Sequence, residues 1–323
     1  MRIIEQLNKL PIKSGEYLVL PNLDTPYFII PLHSRNIFLD AITLVKPKNK
    51  KGWIKKTVLQ FTPFFILRIL FPIITIKSKY EADNSHHLIL PWNQDVCNKF
   101  TIFNFNKSNI TLVKIGFGKY REMILNEYYS ILKVPEFGKS IIPEVVNFSE
   151  NEDFIKIETI FYNGNHPKYL PESIIDFFEK IRVESQKVKM IDHPYFKKII
   201  QEINSVLEKE KLTSLSNTVI KYMKKYENEL VPVVLMHSDC SKTNIISTEK
   251  RNVLIDWEEC VAEGVPIDAG YFDFRMHIDN GKSWKVNNTI NFLVVLHYIY
   301  LQIKHDNISQ LRKISWHNSE ISI

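Results

Sequence analysis

Apolar and polar positions alternate with period two in two short runs of the first half, residues 99–103 and 110–115, both rich in β-branched and aromatic side chains. The mostly polar stretch 104–109 separates them, so the pair predicts an antiparallel hairpin. Residues 120–132 then carry apolar side chains at helical spacing, and 154–161 return to alternation, predicting a helix and a further strand. Upstream, apolar runs at 17–20 and 27–30 are bounded by Pro21, Pro26 and Pro31, which marks them as short strands or connectors. Beyond the turn 163–167 the period changes: 173–182, 195–208 and 215–226 predict helices, and 291–303 predicts a strongly apolar one. The pattern is α+β, a β-rich first half with one helix followed by a mostly helical second half, hinged near residue 163.

One segment resists simple placement. Residues 57–76 run for 20 positions without an acid and follow a stretch, 46–56, with six lysines in 11 positions. The length suits a membrane span. Arg68 at its middle, Pro63, Pro72 and Gln60 argue against one, because a central arginine costs about 2.5–3.5 kcal/mol on insertion scales. The segment therefore reads as protein core, a helix or a helix and a strand, preceded by a solvated lysine-rich loop. A helix lying on an anionic membrane surface is the alternative.

Composition narrows the class. The 323 residues are 45% hydrophobic and 24% charged, a globular balance, and the length favours two packed lobes over one. A net charge of +6 suits a phosphorylated ligand or an anionic surface but falls short of a nucleic-acid-binding signature, so no nucleic-acid partner is expected. Cys97, Cys240 and Cys260 are odd in number and widely separated, which implies neither a disulfide framework nor a zinc site. With no apolar run of a signal peptide at the N-terminus, the expected compartment is a reducing cytoplasm.

The most informative stretch is 231–257, which holds His237-x-Asp239-x-x-x-x-Asn244, two short apolar runs around Glu249-Lys-Arg251, and Ile255-Asp256-Trp257. The runs predict a hairpin. Centred on residue 250, it would set Asn244 and Asp256 opposite each other, about 4.5–5.5 Å apart. An amide oxygen and a carboxylate would then converge beside the loop bearing Asp239. That donor set suits Mg²⁺, which takes one or two carboxylates plus substrate phosphates. Phosphoryl transfer needs these parts, together with a carboxylate that orients an attacking hydroxyl and takes its proton.

This stretch resembles the catalytic and metal-binding segments of the aminoglycoside phosphotransferase and choline kinase-like family, small-molecule relatives of the protein kinases. The family's order is His-x-Asp-x-x-x-x-Asn, Ile-Asp-Trp or Ile-Asp-Phe, then Gly-x-Pro-x-x-Asp. Here the last element is Gly264-Val-Pro266-Ile-Asp268, one residue shorter. The resemblance implies Asp239 as catalytic base, Asn244 and Asp256 as Mg²⁺ ligands, and His237 and Asp268 as braces of the catalytic loop. It also implies a strand lysine for the ATP phosphates paired with a helix glutamate. Lys114 and Glu127 stand in the expected order and elements, Lys119 is a rival outside the strand pattern, and Lys99 is a further candidate near the nucleotide. The departures are specific: 91–113 contains no glycine for a phosphate-covering turn, Ser238 stands where the family often has Gly, and Lys242-Thr243 replaces Pro-Gly or Pro-Trp. Lys242 is a candidate to touch a transferred phosphate, or else points to solvent. Cys240 reads as a small packing residue rather than a nucleophile.

The implied fold is a bilobal protein-kinase-like α+β fold, with an antiparallel N-lobe sheet carrying one helix and a mostly helical C-lobe. The expected divisions are an N-terminal extension over 1–95, possible as part of the N-lobe, a nucleotide-binding N-lobe over 96–163, and a helical catalytic C-lobe over 164–323. The implied activity is ATP-dependent, Mg²⁺-assisted phosphorylation of a small-molecule hydroxyl: a sugar, aminoglycoside, choline or related alcohol. Glu258, Glu259 and Glu263 are candidates to attract an amine-bearing acceptor. A non-catalytic kinase-like binding or scaffold module, at a membrane surface or in solution, is the alternative. A protein-kinase reading is disfavoured because no Asp-Phe-Gly or Ala-Pro-Glu brackets an activation segment.

Overall fold

The β-branched and aromatic runs of the first half become strands of one antiparallel sheet. In the computed structural model, which describes residues 2–45, 50–80, 85–91, 98–105, 110–317 and 320–322, its strands are β1 (Gly15–Leu20), β2 (Phe28–Pro31), β3 (Ile73–Ile76), β4 (His86–Pro91), β5 (Lys99–Phe105), β6 (Ile110–Gly116), β7 (Val145–Glu150) and β8 (Ile155–Ile160). Their order across the sheet is β3-β1-β2-β4-β5-β6-β8-β7. The strands β1 to β4, all from residues before 95, thus enter the same sheet as the hairpin β5–β6. That hairpin pairs from Lys99 with Gly116 to Phe105 with Ile110. Its turn, 106–109, lies outside the described residues, as do Cys97 and most of the glycine-free stretch before β5.

Adjacent side chains on a strand point to opposite faces, and both faces of this sheet are covered. Tyr17, Val19, Ile29, Ile89, Phe100 and Ile102 join one buried cluster. Their neighbours Leu18, Ile30 and Leu88 join another with Phe38, Ala41 and Leu67. Two-sided burial explains why β1, β2 and β4 read as continuous apolar runs rather than clean alternation.

The chain divides into two compact units, residues 1–128 with 144–161, and 129–143 with 162–323. In the first, α1 (Arg2–Leu7), α2 (Arg35–Leu44), α3 (Lys50–Phe61), α4 (Phe64–Leu70) and the part of α5 (Tyr120–Lys133) up to Tyr128 accompany the sheet. The second is mostly helical: α6 (Glu172–Glu184), α7 (Pro194–Lys209), α8 (Thr213–Tyr226), α9 (Asp268–Asp279) and α10 (Thr289–Lys304). An α+β division into an antiparallel sheet with one following helix, α5, and then a helical unit is the one the sequence predicts. All ten residues from Phe292 to Leu301 in α10 are buried, as a helix apolar all round requires. Between α6 and α9 run short strands, β9 (Lys187–Lys189), β10 (Leu230–Pro232), β11 (Val234–Met236), β12 (Ile245–Ser247), β13 (Asn252–Leu254) and β14 (Val261–Gly264).

The segment 57–76 follows the helix-and-strand expectation in outline but not in burial, since its helices lie mostly outside the core. Pro63 stands at the N-cap of α4 and Pro72 just before β3, so the run breaks into two helices and a strand. No residue of α3 is buried, and in α4 only Leu67 is. Residues 50–56 of the expected lysine-rich loop are helical, and 46–49 lie outside the described residues. The physical reason is that a few apolar residues, Leu59, Phe64 and Leu67, suffice to seat these helices once polar groups also hold them. Lys56 Nζ donates to the carbonyls of Thr43 and Val45 at 3.1 and 2.8 Å, and an Arg35 guanidinium nitrogen donates to the Gln60 carbonyl. Arg68, the residue that argued against a span, pairs with Glu16 of β1 at 2.6 Å. Among the described residues no helix is long and apolar enough to cross a membrane.

Candidate active site

In the first unit, Lys114 lies on β6 opposite Thr101 of β5 and Ile157 of β8. Opposed residues share a face of a sheet, and so do residues two apart, so Lys99 and Lys114 lie on the same face. Helix α5 supplies Glu127 there: both of its carboxylate oxygens accept from Lys114 Nζ at 2.8 Å, and both residues are buried. Lys99 is buried at the start of β5 opposite Gly116. The rival Lys119 is exposed and stands over the ring of Tyr120, 5.4 Å from its centroid.

In the second unit, β11 pairs with β14 and delivers the chain into the loop His237–Asn244. Asp268, the first residue of α9, receives two successive backbone N–H groups of that loop: Oδ2 accepts from His237 and Oδ1 from Ser238, each at 2.9 Å. Burial pushes its carboxyl up to about 7, against these two donors, which favour the anion. The His237 ring is buried against Trp257. Its Nδ1 accepts the Asp239 N–H at 3.3 Å, which leaves the ring proton on Nε2, donated to the Ile255 carbonyl at 2.9 Å. The ring is a brace between the loop and the strand end.

The hairpin register differs from the one centred on residue 250. Ile245 faces Leu254 and Ser247 faces Asn252, and the Ile255 N–H donates to the Asn244 carbonyl at 2.8 Å. Asn244 therefore lies opposite Ile255, not Asp256. The cause is the turn, closed by Thr248 N–H on the Arg251 carbonyl at 3.0 Å, which leaves Glu249 and Lys250 at the tip instead of three residues. Asp256, one position further, is turned by a left-handed backbone (φ 69°, ψ 59°), a conformation aspartate accepts more readily than most residues.

Asp239 is the focus of this unit. The Asn244 side-chain NH₂ donates to its Oδ2 at 2.8 Å and to its backbone carbonyl at 2.9 Å, leaving the amide oxygen of Asn244 for another partner. Burial, then the like charge of Asp256, push the Asp239 carboxyl up to about 6, while Arg275 and Asn244 pull it down. Beside it opens a cavity of about 480 Å³, whose lining includes Asp239, Glu259, Tyr271, Arg275, Asp279 and Gln302. Of the three glutamates singled out by sequence, only Glu259 lines the cavity; it also forms an ion pair with Lys304. Glu263 and Lys242 are exposed. The thiols of Cys240 and Cys260 are buried, and burial raises both, Cys260 to about 12, which fits packing residues.

One support escaped the sequence reading. His297 of α10 is buried, with Nε2 2.6 Å from the Ser238 carbonyl and Nδ1 2.5 Å from the Tyr195 hydroxyl. Burial lowers it to about 4, so it stays neutral, donating to Ser238 and accepting from Tyr195. A single histidine inside an otherwise apolar helix was the available signal. Ser238, which stands where the family often has Gly, has a left-handed φ of 76° and a hydroxyl buried without a partner. This conformation costs an L-residue about 1–2 kcal/mol, and an unsatisfied buried hydroxyl adds to that. Ser238→Gly is thus expected to stabilise the protein by about 1 kcal/mol after the glycine's unfolded-state entropy is subtracted, raising Tm by about 2 °C. A fall in Tm by calorimetry would show that the hydroxyl has a structural role.

The sequence matches no protein-family model and no curated protein. Solved structures do match. A spectinomycin phosphotransferase in complex with ADP and spectinomycin is 18% identical, over 66% of this chain and 72% of that one, with a TM-score of 0.39. An aminoglycoside-3'-phosphotransferase of type VIII is 9% identical, over 68% and 94%, with a TM-score of 0.43. A thermostable aminoglycoside phosphotransferase in ternary complex with AMP-PNP and hygromycin B is 11% identical, over 70% and 88%, with a TM-score of 0.46. At these identities and scores the likeness assigns no residue a role, and the chemistry has to come from the side chains described above.

Proposed function

We propose that the protein is an ATP-dependent phosphotransferase that phosphorylates a hydroxyl of a small molecule. The observation that carries this reading is the pairing of Asp239 with Asn244 under the charge of Asp256, at the wall of a cavity of about 480 Å³, within the size range of small-molecule sites.

Asp239 acts as the base. Asn244 occupies its Oδ2, so Oδ1 is the atom that takes the acceptor's proton. A carboxyl raised to about 6 is a stronger base than a free aspartate yet is still ionised at neutral pH. His237 and Asp268 hold the loop by its backbone, keeping Asp239 aimed without touching the acceptor. Asn244, through its remaining oxygen, and Asp256 would hold Mg²⁺; hard oxygen donors beside two mutually repelling carboxylates fit that ion. When bound, Mg²⁺ supplies charge neutralisation at the transferring phosphate. Lys114, oriented by Glu127, binds the ATP phosphates, with Lys99 on the same face as a second positive charge. Glu259 and Asp279 in the cavity wall favour a polyhydroxyl or amine-bearing acceptor, such as a sugar, an aminoglycoside or an amino alcohol.

The test is a thermal-shift titration with MgATP, followed by an ADP-release screen over polyols, amino sugars and amino alcohols. MgATP at a hundredfold excess over its Kd stabilises the fold by about 2.7 kcal/mol, and at least one acceptor class should release ADP. An unshifted Tm with no acceptor-dependent ADP would overturn the proposal in favour of a non-catalytic module.

A further inference from the structure

Helices α3 and α4 carry a second apolar set that faces outward, besides Leu59, Phe64 and Leu67, which pack on the core. Ile54, Val58, Phe61, Phe65, Ile69 and Leu70 are all exposed, Phe61 by 81% and Ile69 by 78%. The first five recur at steps of four, three, four and four residues, so each helix carries its share on one side. Inward, Leu59, Phe64 and Leu67 pack on the core, and polar groups fasten the helices further, Lys56 on the carbonyls of Thr43 and Val45, Arg35 on Gln60 and Arg68 on Glu16, so the outward apolar side chains are not what holds them. Exposed apolar surface of this density on ordered helices marks an interaction surface.

The charge around it identifies the partner's chemistry. Residues 41–80 contain nine lysines and arginines and not one acid. Outside that stretch the chain has more acids than bases, so the net charge of +6 is concentrated here. Lys50, Lys51 and Lys55 are exposed on α3 itself. Apolar side chains beside a one-signed lysine cluster match a surface that is apolar below and anionic above.

We infer that the outward faces of α3 and α4 form a docking surface for an anionic lipid bilayer. The inference rests on no part of the functional reading. Phe61, Phe65 and Ile69 enter the boundary between headgroups and acyl chains, and Lys50, Lys51 and Lys55 meet the lipid phosphates. Neither helix crosses the bilayer. Because the lysines contribute through screened charge, salt weakens the attachment.

The test is co-sedimentation of the full chain with vesicles of phosphatidylcholine alone or with a quarter phosphatidylglycerol, at low and high salt, with gel filtration beside it. Binding is expected only to the phosphatidylglycerol vesicles and should fall with salt. Phe61→Ser/Phe65→Ser/Ile69→Ser should weaken it by roughly a hundredfold or more, from the apolar area no longer buried. Lys50→Gln/Lys51→Gln/Lys55→Gln should weaken it independently, and since these lysines are exposed, the fold is unchanged by circular dichroism. Absence of binding to both vesicles overturns the inference. So does equal binding to both that ignores the lysines, or a dimer on gel filtration that the serine variant dissociates, which would make the face a self-association surface.

Discussion

Asp239→Asn is expected to lower turnover by roughly 10²–10⁴-fold, the usual worth of a positioned base, while MgATP binds at close to the parental affinity. The amide keeps the volume of the carboxylate and can still present an oxygen to the Asn244 NH₂, now at Oδ2 of Asp239. It cannot take the acceptor's proton. Asp256→Asn is expected to behave differently. Asparagine tolerates the left-handed backbone at 256, so the local fold survives, but a charged ligand is lost and nucleotide affinity should fall together with turnover. Calorimetric titration of MgATP into both variants, with phosphate transfer or basal ATP hydrolysis alongside, separates the two roles. If Asp239→Asn loses the nucleotide while Asp256→Asn keeps both binding and activity, the roles are reversed. If both variants bind and turn over like the parent, the phosphotransferase reading fails.

The parts of this fold that were legible in the sequence are those governed by local periodicity. The β5–β6 hairpin and α5, α6, α7, α8 and α10 all arise where a period of two or of 3.6 recurs without interruption. Helix α9 was missed because Ala269 to Phe274 mixes aromatics and small residues with no clear stripe, and only tertiary burial of Tyr271, Phe272 and Phe274 defines its inner face. The hairpin at 245–254 was legible as two strands, but its register depended on the number of residues at the turn, and one residue changes which side chain lies opposite which. The segment 57–76 misled for a physical reason: hydrophobicity in a sequence states what avoids water, not what covers it, and here only Leu59, Phe64 and Leu67 of the two helices pack on the core, while Lys56, Arg35 and Arg68 help to hold the rest with its apolar side outward. At the candidate site, His237, Asp239, Asn244 and Asp268 are legible in the sequence by spacing and resemblance. The supports they depend on, the His297–Ser238 bond and the Tyr195 hydroxyl behind it, join residues 59 and 102 positions apart and left no local pattern to read.

Lys114→Ala is expected to act on stability and on nucleotide use together, and Lys119→Ala on neither. Lys114 and Glu127 form a buried ion pair, and removing one partner of such a pair costs about 3–5 kcal/mol, because the remaining charge keeps its desolvation penalty without that attraction. Exposed Lys119 carries no comparable cost, and surface substitutions usually change stability by about 0.5 kcal/mol or less. On nucleotide use, a lost charge-assisted hydrogen bond of about 1.5–3 kcal/mol raises the KM for ATP by about ten- to a hundredfold. A destabilised protein also loses activity, so the two effects need separating. Lys114→Met combined with Glu127→Leu removes both buried charges at once, which is commonly neutral or better for stability. This double variant should regain most of the Tm lost by Lys114→Ala while its KM for ATP stays high. Recovery of both quantities would mean that Lys114 is a structural lysine, and an effect at Lys119 equal to that at Lys114 would move the phosphate-binding role to the loop after β6.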